Sequence, residues 1–238
     1  MNLDKVQKVI YTKEGAEKKY DLTSHCYHLI MGVFEIKPNM EALKLSNIKR
    51  HEKILDIGFG TGWVLEKMIE LINPTQKIHG IDFAEGMIQS TRDRLKKKQL
   101  DTRVILVKGN ALSIPYKNES FDVVFASFIL DLQRIIDIQK LLQELKRVLK
   151  PDGRIVIVSM TKEGKDLLKI ARCFYDWFYL FWPTICGYRA SSRPIYVNKE
   201  VEKVGLYIIK QKLTHIIFFH FPIKIVVAKK TGRREKAG

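Results

Sequence analysis

The stretch Ile54-Leu55-Asp56-Ile57-Gly58-Phe59-Gly60-Thr61-Gly62 sets the architecture of this chain. A short apolar run, Ile54 to Ile57, is broken by glycines at three alternate positions, and Trp63-Val64-Leu65 resumes with helical spacing. That pattern predicts a buried strand, a tight turn and a helix start. Glycine suits a backbone that must take positive φ or lie against a ligand with no Cβ in the way. The first turn of the following helix offers free N–H groups to a polar ligand. The spacing narrows the ligand. A dinucleotide fingerprint needs a sixth-position glycine, where this chain has Trp63. A phosphate loop needs Gly-Lys-Ser/Thr, which is absent.

A second strand is predicted over Lys77–Asp82, followed by a helix over Gly86–Gln99. Asp82 falls at the carboxyl end of that strand, where a carboxylate can accept both hydroxyls of a ribose; an acid there also serves as a helix N-cap. Phe83 and Met87 follow that acid, and plain core packing is one reading of Met87. A third strand follows over Val104–Lys108, then Gly109-Asn110-Ala111, and a fourth strand that runs through Ser127. A helix is expected over Gln133–Leu149. The turn Pro151-Asp152-Gly153 then feeds a fifth strand, Arg154–Ser159. Asn198 is expected to cap a short helix ending at Gly205, ahead of closing strands over Leu206–Leu213 and Ile223–Lys229. Strand–helix units in this order give a parallel sheet with right-handed crossovers.

The glycine turn, the acid at Asp82, Gly109-Asn110-Ala111 and Pro151-Asp152-Gly153 resemble, in order, the motifs of class I S-adenosyl-L-methionine (SAM)-dependent methyltransferases. Within that class the chain looks most like the ubiquinone/menaquinone C-methyltransferases and the phospholipid N-methyltransferases. The resemblance implies a Rossmann-like α/β fold: seven strands, mostly parallel, with helices on both faces, a helical N-terminal lid and a helical insertion after the fifth strand. It also implies SAM as cofactor, with Asp56, Gly58, Gly60 and Gly62 under its methionine part. Asp82 would then take the ribose, and Phe83, Met87, Asn110 and Ala111 would surround the adenine. Ser127, Phe128 and Tyr20 complete the expected cofactor set. The family usually carries Gly-Asp-Ala where this chain has Gly109-Asn110-Ala111, and the Asn110 amide oxygen can still accept the adenine amino hydrogen, with less charge assistance.

The chain of 238 residues is read as a single methyltransferase domain, with 46% hydrophobic and 29% charged residues. Residues 1–50 form the lid or, alternatively, a cap on the sheet edge. Residues 51–160 form the SAM-binding core, residues 161–198 the substrate-side insertion, and residues 199–238 the closing strands and basic tail. A second helix of the first segment is expected after Pro38. Cys26, Cys173 and Cys186 lack zinc-site spacing, so no metal is expected, and they suggest a reducing compartment. No secretory signal or run of 18 apolar residues is visible. A cytoplasmic protein is therefore expected, peripheral at the inner membrane face.

The formal charge of +16 implies an acidic partner surface. Asp166–Arg193 is too long for an ordinary loop. Leu167, Phe174, Trp177, Phe178, Phe181 and Trp182 surround a narrow polar stripe of Lys165, Lys169, Arg172 and Asp176. Such a helix either packs onto its own sheet or sits in a membrane interface. The second reading gives transient contact with anionic lipid and a lipophilic small-molecule acceptor, a quinone precursor or an amino-phospholipid. If a phenolic ring carbon is methylated, a base must take a proton, and Tyr20 and His25 are the candidates. An RNA methyltransferase is the second reading, supported by charge but by no RNA-binding module and no Asn-Pro-Pro-Tyr motif, so nucleic acid is not the expected partner. A non-catalytic SAM-fold subunit that activates a partner is the third.

Overall fold

All four residues of Ile54–Ile57 are buried, and the strand pairs on both sides, as an uninterrupted apolar run in a parallel sheet requires. The computed structural model describes residues 35–163, 193–215 and 221–230. Helix α1 covers residues 35–46 of the described part. It is followed by β1 (Ile54–Ile57), α2 (Trp63–Ile69), β2 (Ile78–Asp82), α3 (Glu85–Lys97), β3 (Val104–Lys108) and β4 (Phe121–Ser127). Then come α4 (Ile135–Val148), β5 (Leu149–Met160), α5 (Val197–Lys203), β6 (Leu206–His215) and β7 (Pro222–Lys230).

The sheet has seven strands in the order β3-β2-β1-β4-β5-β7-β6. The first five are parallel, and β7 runs antiparallel between β5 and β6. The expected Rossmann-like architecture is therefore present. Strand order reverses between β1 and β4, and ligands of open α/β sheets bind at the carboxyl ends of strands flanking such a reversal.

Alternation along the strands feeds two cores. On one face Leu55, Ile57, Val124, Ala126, Ile155 and Ile157 pack with Ile138, Leu141 and Leu145 of α4 and Val197 and Val201 of α5. On the other face Ile54, Val123, Phe125, Val156 and Val158 meet Leu43 of α1, Leu65 and Met68 of α2, and Ile88 and Leu95 of α3.

Three local expectations are corrected. Pro38 lies inside α1 rather than before a helix, since its fixed φ is itself helical. Pro151-Asp152-Gly153 is an irregularity within β5 and not a turn ahead of it. Leu149 already pairs with Phe121, and the register then shifts before Val123 meets Arg154. A Cβ on Gly153 would lie 2.8 Å from the Asp122 carbonyl oxygen, so the close approach there needs glycine. Asn198 is not the cap of α5: the cap residue is Tyr196, with no side-chain capping bond. Instead the Asn198 N–H donates to the Glu163 carboxylate at 2.8 Å, an acceptor supplied from 35 residues away.

Candidate active site

Gly58, Gly60 and Gly62 all take left-handed φ, at 69°, 55° and 74°. Side chains are therefore strained at all three positions, and two of the three are also crowded. A Cβ on Gly58 would lie 3.0 Å from Ile129 Cδ1, and one on Gly62 would lie 2.5 Å from Thr91 Cγ2. At Gly60 no atom of the described residues lies within 4 Å of the Cβ position, so among them the middle of the turn faces open space. The turn is tied down elsewhere. The Gly58 N–H donates to the Ile81 carbonyl at 2.7 Å, and the Gly60 N–H donates to Asp82 Oδ2 at 2.9 Å. The Thr91 hydroxyl donates to the Gly60 carbonyl oxygen.

Two carboxylates stand beside this turn. Asp82 is nearly buried; its Oδ1 accepts the Ala84 N–H at 3.0 Å while Oδ2 holds Gly60. It thus joins the glycine turn to the start of α3. Asp56 is 2% exposed, and its Oδ2 has no hydrogen-bond partner among the described residues. Burial, with the charge of Asp82 adding to it, pushes the Asp56 carboxyl up to about 8. A buried carboxyl oxygen without a partner is costly unless a ligand satisfies it.

Beyond β3, the Asn110 Oδ1 accepts the Leu112 N–H at 3.1 Å, so the amide oxygen expected to meet adenine already has one partner. Asn110 itself is exposed and Ala111 half-buried. The Gly109 N–H donates to the Asp82 carbonyl, which couples this loop to β2. Phe83 is 36% exposed, whereas Met87 is 2% exposed and offers a ligand almost no surface. At the end of β4 the Ser127 hydroxyl donates to Asn39 Oδ1 of α1 at 2.6 Å. Phe128 takes φ 50°, unusual for a residue with a Cβ, and its N–H donates to the Val158 carbonyl. Tyr20, His25 and the stretch Asp166–Trp182 lie outside the described residues.

Sequence reading missed Thr91 and Asn39, the partners that hold the turn and β4. A signal for Thr91 existed. It is the one polar residue on the buried face of α3, with Met87, Ile88 and Leu95.

The open glycine cradle, the unsatisfied Asp56 oxygen and the Asp82 tie at a strand-order reversal fit SAM, a cation with a ribose at its centre. Fold and site together define a class I SAM-dependent methyltransferase. Residues 2–202 match the model of the ubiE/COQ5 methyltransferase family, and the chain belongs to that family. It is 28% identical over 184 residues to a demethylmenaquinone methyltransferase of Geobacillus sp. (strain WCH70), covering 77% of this chain and 75% of the relative. It is also 28% identical over 179 residues to the ubiquinone/menaquinone biosynthesis C-methyltransferase UbiE of Ectopseudomonas mendocina (strain ymp), covering 75% and 67%. Among solved structures, a SAM-dependent methyltransferase from Aquifex aeolicus has the same fold. It matches at TM-score 0.60 and 21% identity, over 89% of this chain and 97% of the other. The 1,6-didemethyltoxoflavin-N1-methyltransferase of Burkholderia thailandensis, crystallised with S-adenosylhomocysteine (SAH), aligns at TM-score 0.70 and 14% identity, over 95% of each chain.

Proposed function

We propose that this methyltransferase transfers the methyl group of SAM to a ring carbon of a lipophilic quinone precursor. The observation that carries the reading is the family match over residues 2–202, with relatives named for demethylmenaquinone and ubiquinone/menaquinone methylation. It favours a quinone precursor over an amino-phospholipid, and nothing beyond the chain's positive charge favours RNA.

When bound, SAM supplies an activated methyl on a sulfonium. The chain's own residues must bind, orient and exclude water. In this reading Asp56 takes the amino group of the methionine part, and Gly60 lets that part lie against the turn. Asp82, which also holds the Gly60 and Ala84 N–H groups, accepts the ribose hydroxyls. Phe83 and Asn110 face the adenine. Carbon methylation of a reduced quinone ring releases a proton, which Tyr20 or His25 would accept or relay.

Access from a membrane surface is part of the same proposal. Ile135 and Ile136, on the first turn of α4 just beyond the carboxyl end of β4, are 47% and 79% exposed. An exposed apolar pair in the helix that follows β4, on a chain of charge +16, suits transient contact with anionic lipid. Among the described residues no helix is long and apolar enough to cross a membrane.

The test is methyl transfer from isotope-labelled SAM to demethylmenaquinol in detergent, with mass spectrometry of the product. Label on the quinone ring is the expected result. Label found only in phosphatidylethanolamine supplied in the same assay would overturn the acceptor assignment.

A further inference from the structure

The turn that follows β4, residues 127–131, is gripped from both sides by side chains that are distant in sequence. On one side the Ser127 hydroxyl donates to Asn39 Oδ1, 88 residues away, and Asn39 is buried. On the other side the Ser159 hydroxyl donates to Asp131 Oδ1 at 3.2 Å. The Arg193 N–H donates to the Asp131 carbonyl oxygen at 3.1 Å, and its guanidinium Nη1 lies 3.5 Å from the same oxygen. Asp131, Ser159 and Arg193 are all fully buried. Between the two grips Phe128 is held at φ 50°, and Ile129 Cδ1 lies 3.0 Å from where a Cβ on Gly58 would stand. Residues in a rare backbone region persist only where their surroundings over-determine them, and such places cluster at ligand sites.

The proposed cofactor placement and the sheet order together give this turn a part to meet. Were ribose at Asp82 on β2 and adenine at the end of β3, the amino-acid arm would extend the other way, across β1 towards β4. There it meets Gly58, and the atoms nearest to a Cβ placed on Gly58 belong to Ile129 among the described residues. We infer that Asn39 and Asp131 are positioning residues for the amino-acid arm of SAM: they fix the strained turn at Phe128-Ile129, and the turn fixes Gly58 under that arm. The inference rests on SAM binding at the glycine turn and is independent of the acceptor.

The arm can be isolated by comparing two ligands. SAH carries it, whereas 5′-methylthioadenosine has the same adenosine and sulfur without it. Titration calorimetry of Asn39→Ala and Asp131→Ala, the second removing the acceptor of the Ser159 hydroxyl, should show SAH affinity reduced about tenfold. Affinity for 5′-methylthioadenosine should stay at the wild-type value. Equal losses for both ligands would mean that the two side chains only support the fold, and unchanged SAH affinity would mean that they do not set the turn. Either result overturns the inference. Should Asp131→Ala fail to fold, Asn39→Ala, acting from the opposite side of the turn, carries the same comparison. Failure of the wild-type protein to bind either ligand would instead overturn the SAM assignment, and this inference with it.

Discussion

The Thr91 hydroxyl donates to the Gly60 carbonyl oxygen at 2.8 Å, across 31 residues of sequence. The same side chain occupies the space that a Cβ on Gly62 would need. One residue of α3 therefore both anchors the glycine turn and enforces its last glycine. Thr91→Val keeps the volume and removes the donor, which should cost about 1–2 kcal/mol by leaving the Gly60 carbonyl unpaired. Gly62→Ala should cost more, since left-handed φ adds about 1–2 kcal/mol to the clash. Denaturant unfolding of both variants gives the comparison. Gly62→Ala as stable as Thr91→Val would refute the steric part.

Asp56 gives the cofactor site a pH dependence with a definite sign. In the free protein burial holds its carboxyl protonated up to about 8. If the amino group of SAH then sits beside Oδ2, that cation favours the carboxylate and binding expels the proton. Affinity for SAH should therefore rise with pH from 6 to 8 and level off above. Calorimetry in buffers of different ionisation heat should detect the released proton, and Asp56→Asn should abolish both effects. The same raised pKa makes the free protein lose stability as pH rises from the ordinary carboxylate range through about 8. A flat affinity profile in the wild type would remove Asp56 from contact with the amino group.

Asp82 has two duties, so its variants should separate. Asp82→Ala removes the acceptor of the Gly60 and Ala84 N–H groups as well as that of the ribose. SAH affinity should fall by about 1.5–3 kcal/mol, together with some loss of thermal stability. Asp82→Asn keeps one amide oxygen and should lie between Asp82→Ala and the wild type on both measures. Wild-type affinity in Asp82→Ala would refute the ribose assignment.

The exposed pair at the start of α4 is open to substitution without harm to the core. Ile135→Asn with Ile136→Asn should change folding stability by no more than about 0.5 kcal/mol per site. Flotation with phosphatidylglycerol vesicles should nevertheless weaken relative to wild type, and wild-type flotation should itself fade at high salt. Flotation equal to wild type in the double variant would place the lipid contact elsewhere on the chain, and no flotation of the wild type would dismiss it.

Much of this protein was legible in the sequence because its information there is local. Apolar runs bounded by turn residues located β3 at Val104–Lys108 and the end of β4 at Ser127 to the residue. The alternate glycines of Gly58–Gly62 announced a backbone that only positive φ satisfies, and all three adopt it. Tertiary structure alone decided what holds that backbone. Asn39 reaches Ser127 across 88 residues and Arg193 reaches Asp131 across 62, while Glu163 displaces Asn198 as the source of a helix-start acceptor. Met87 likewise turned out buried while its near neighbour Phe83 stayed exposed. Periodicity and turn chemistry are properties of neighbouring residues. The partner of a buried polar group is fixed only when folding brings distant strand ends together and each donor must find an acceptor away from water.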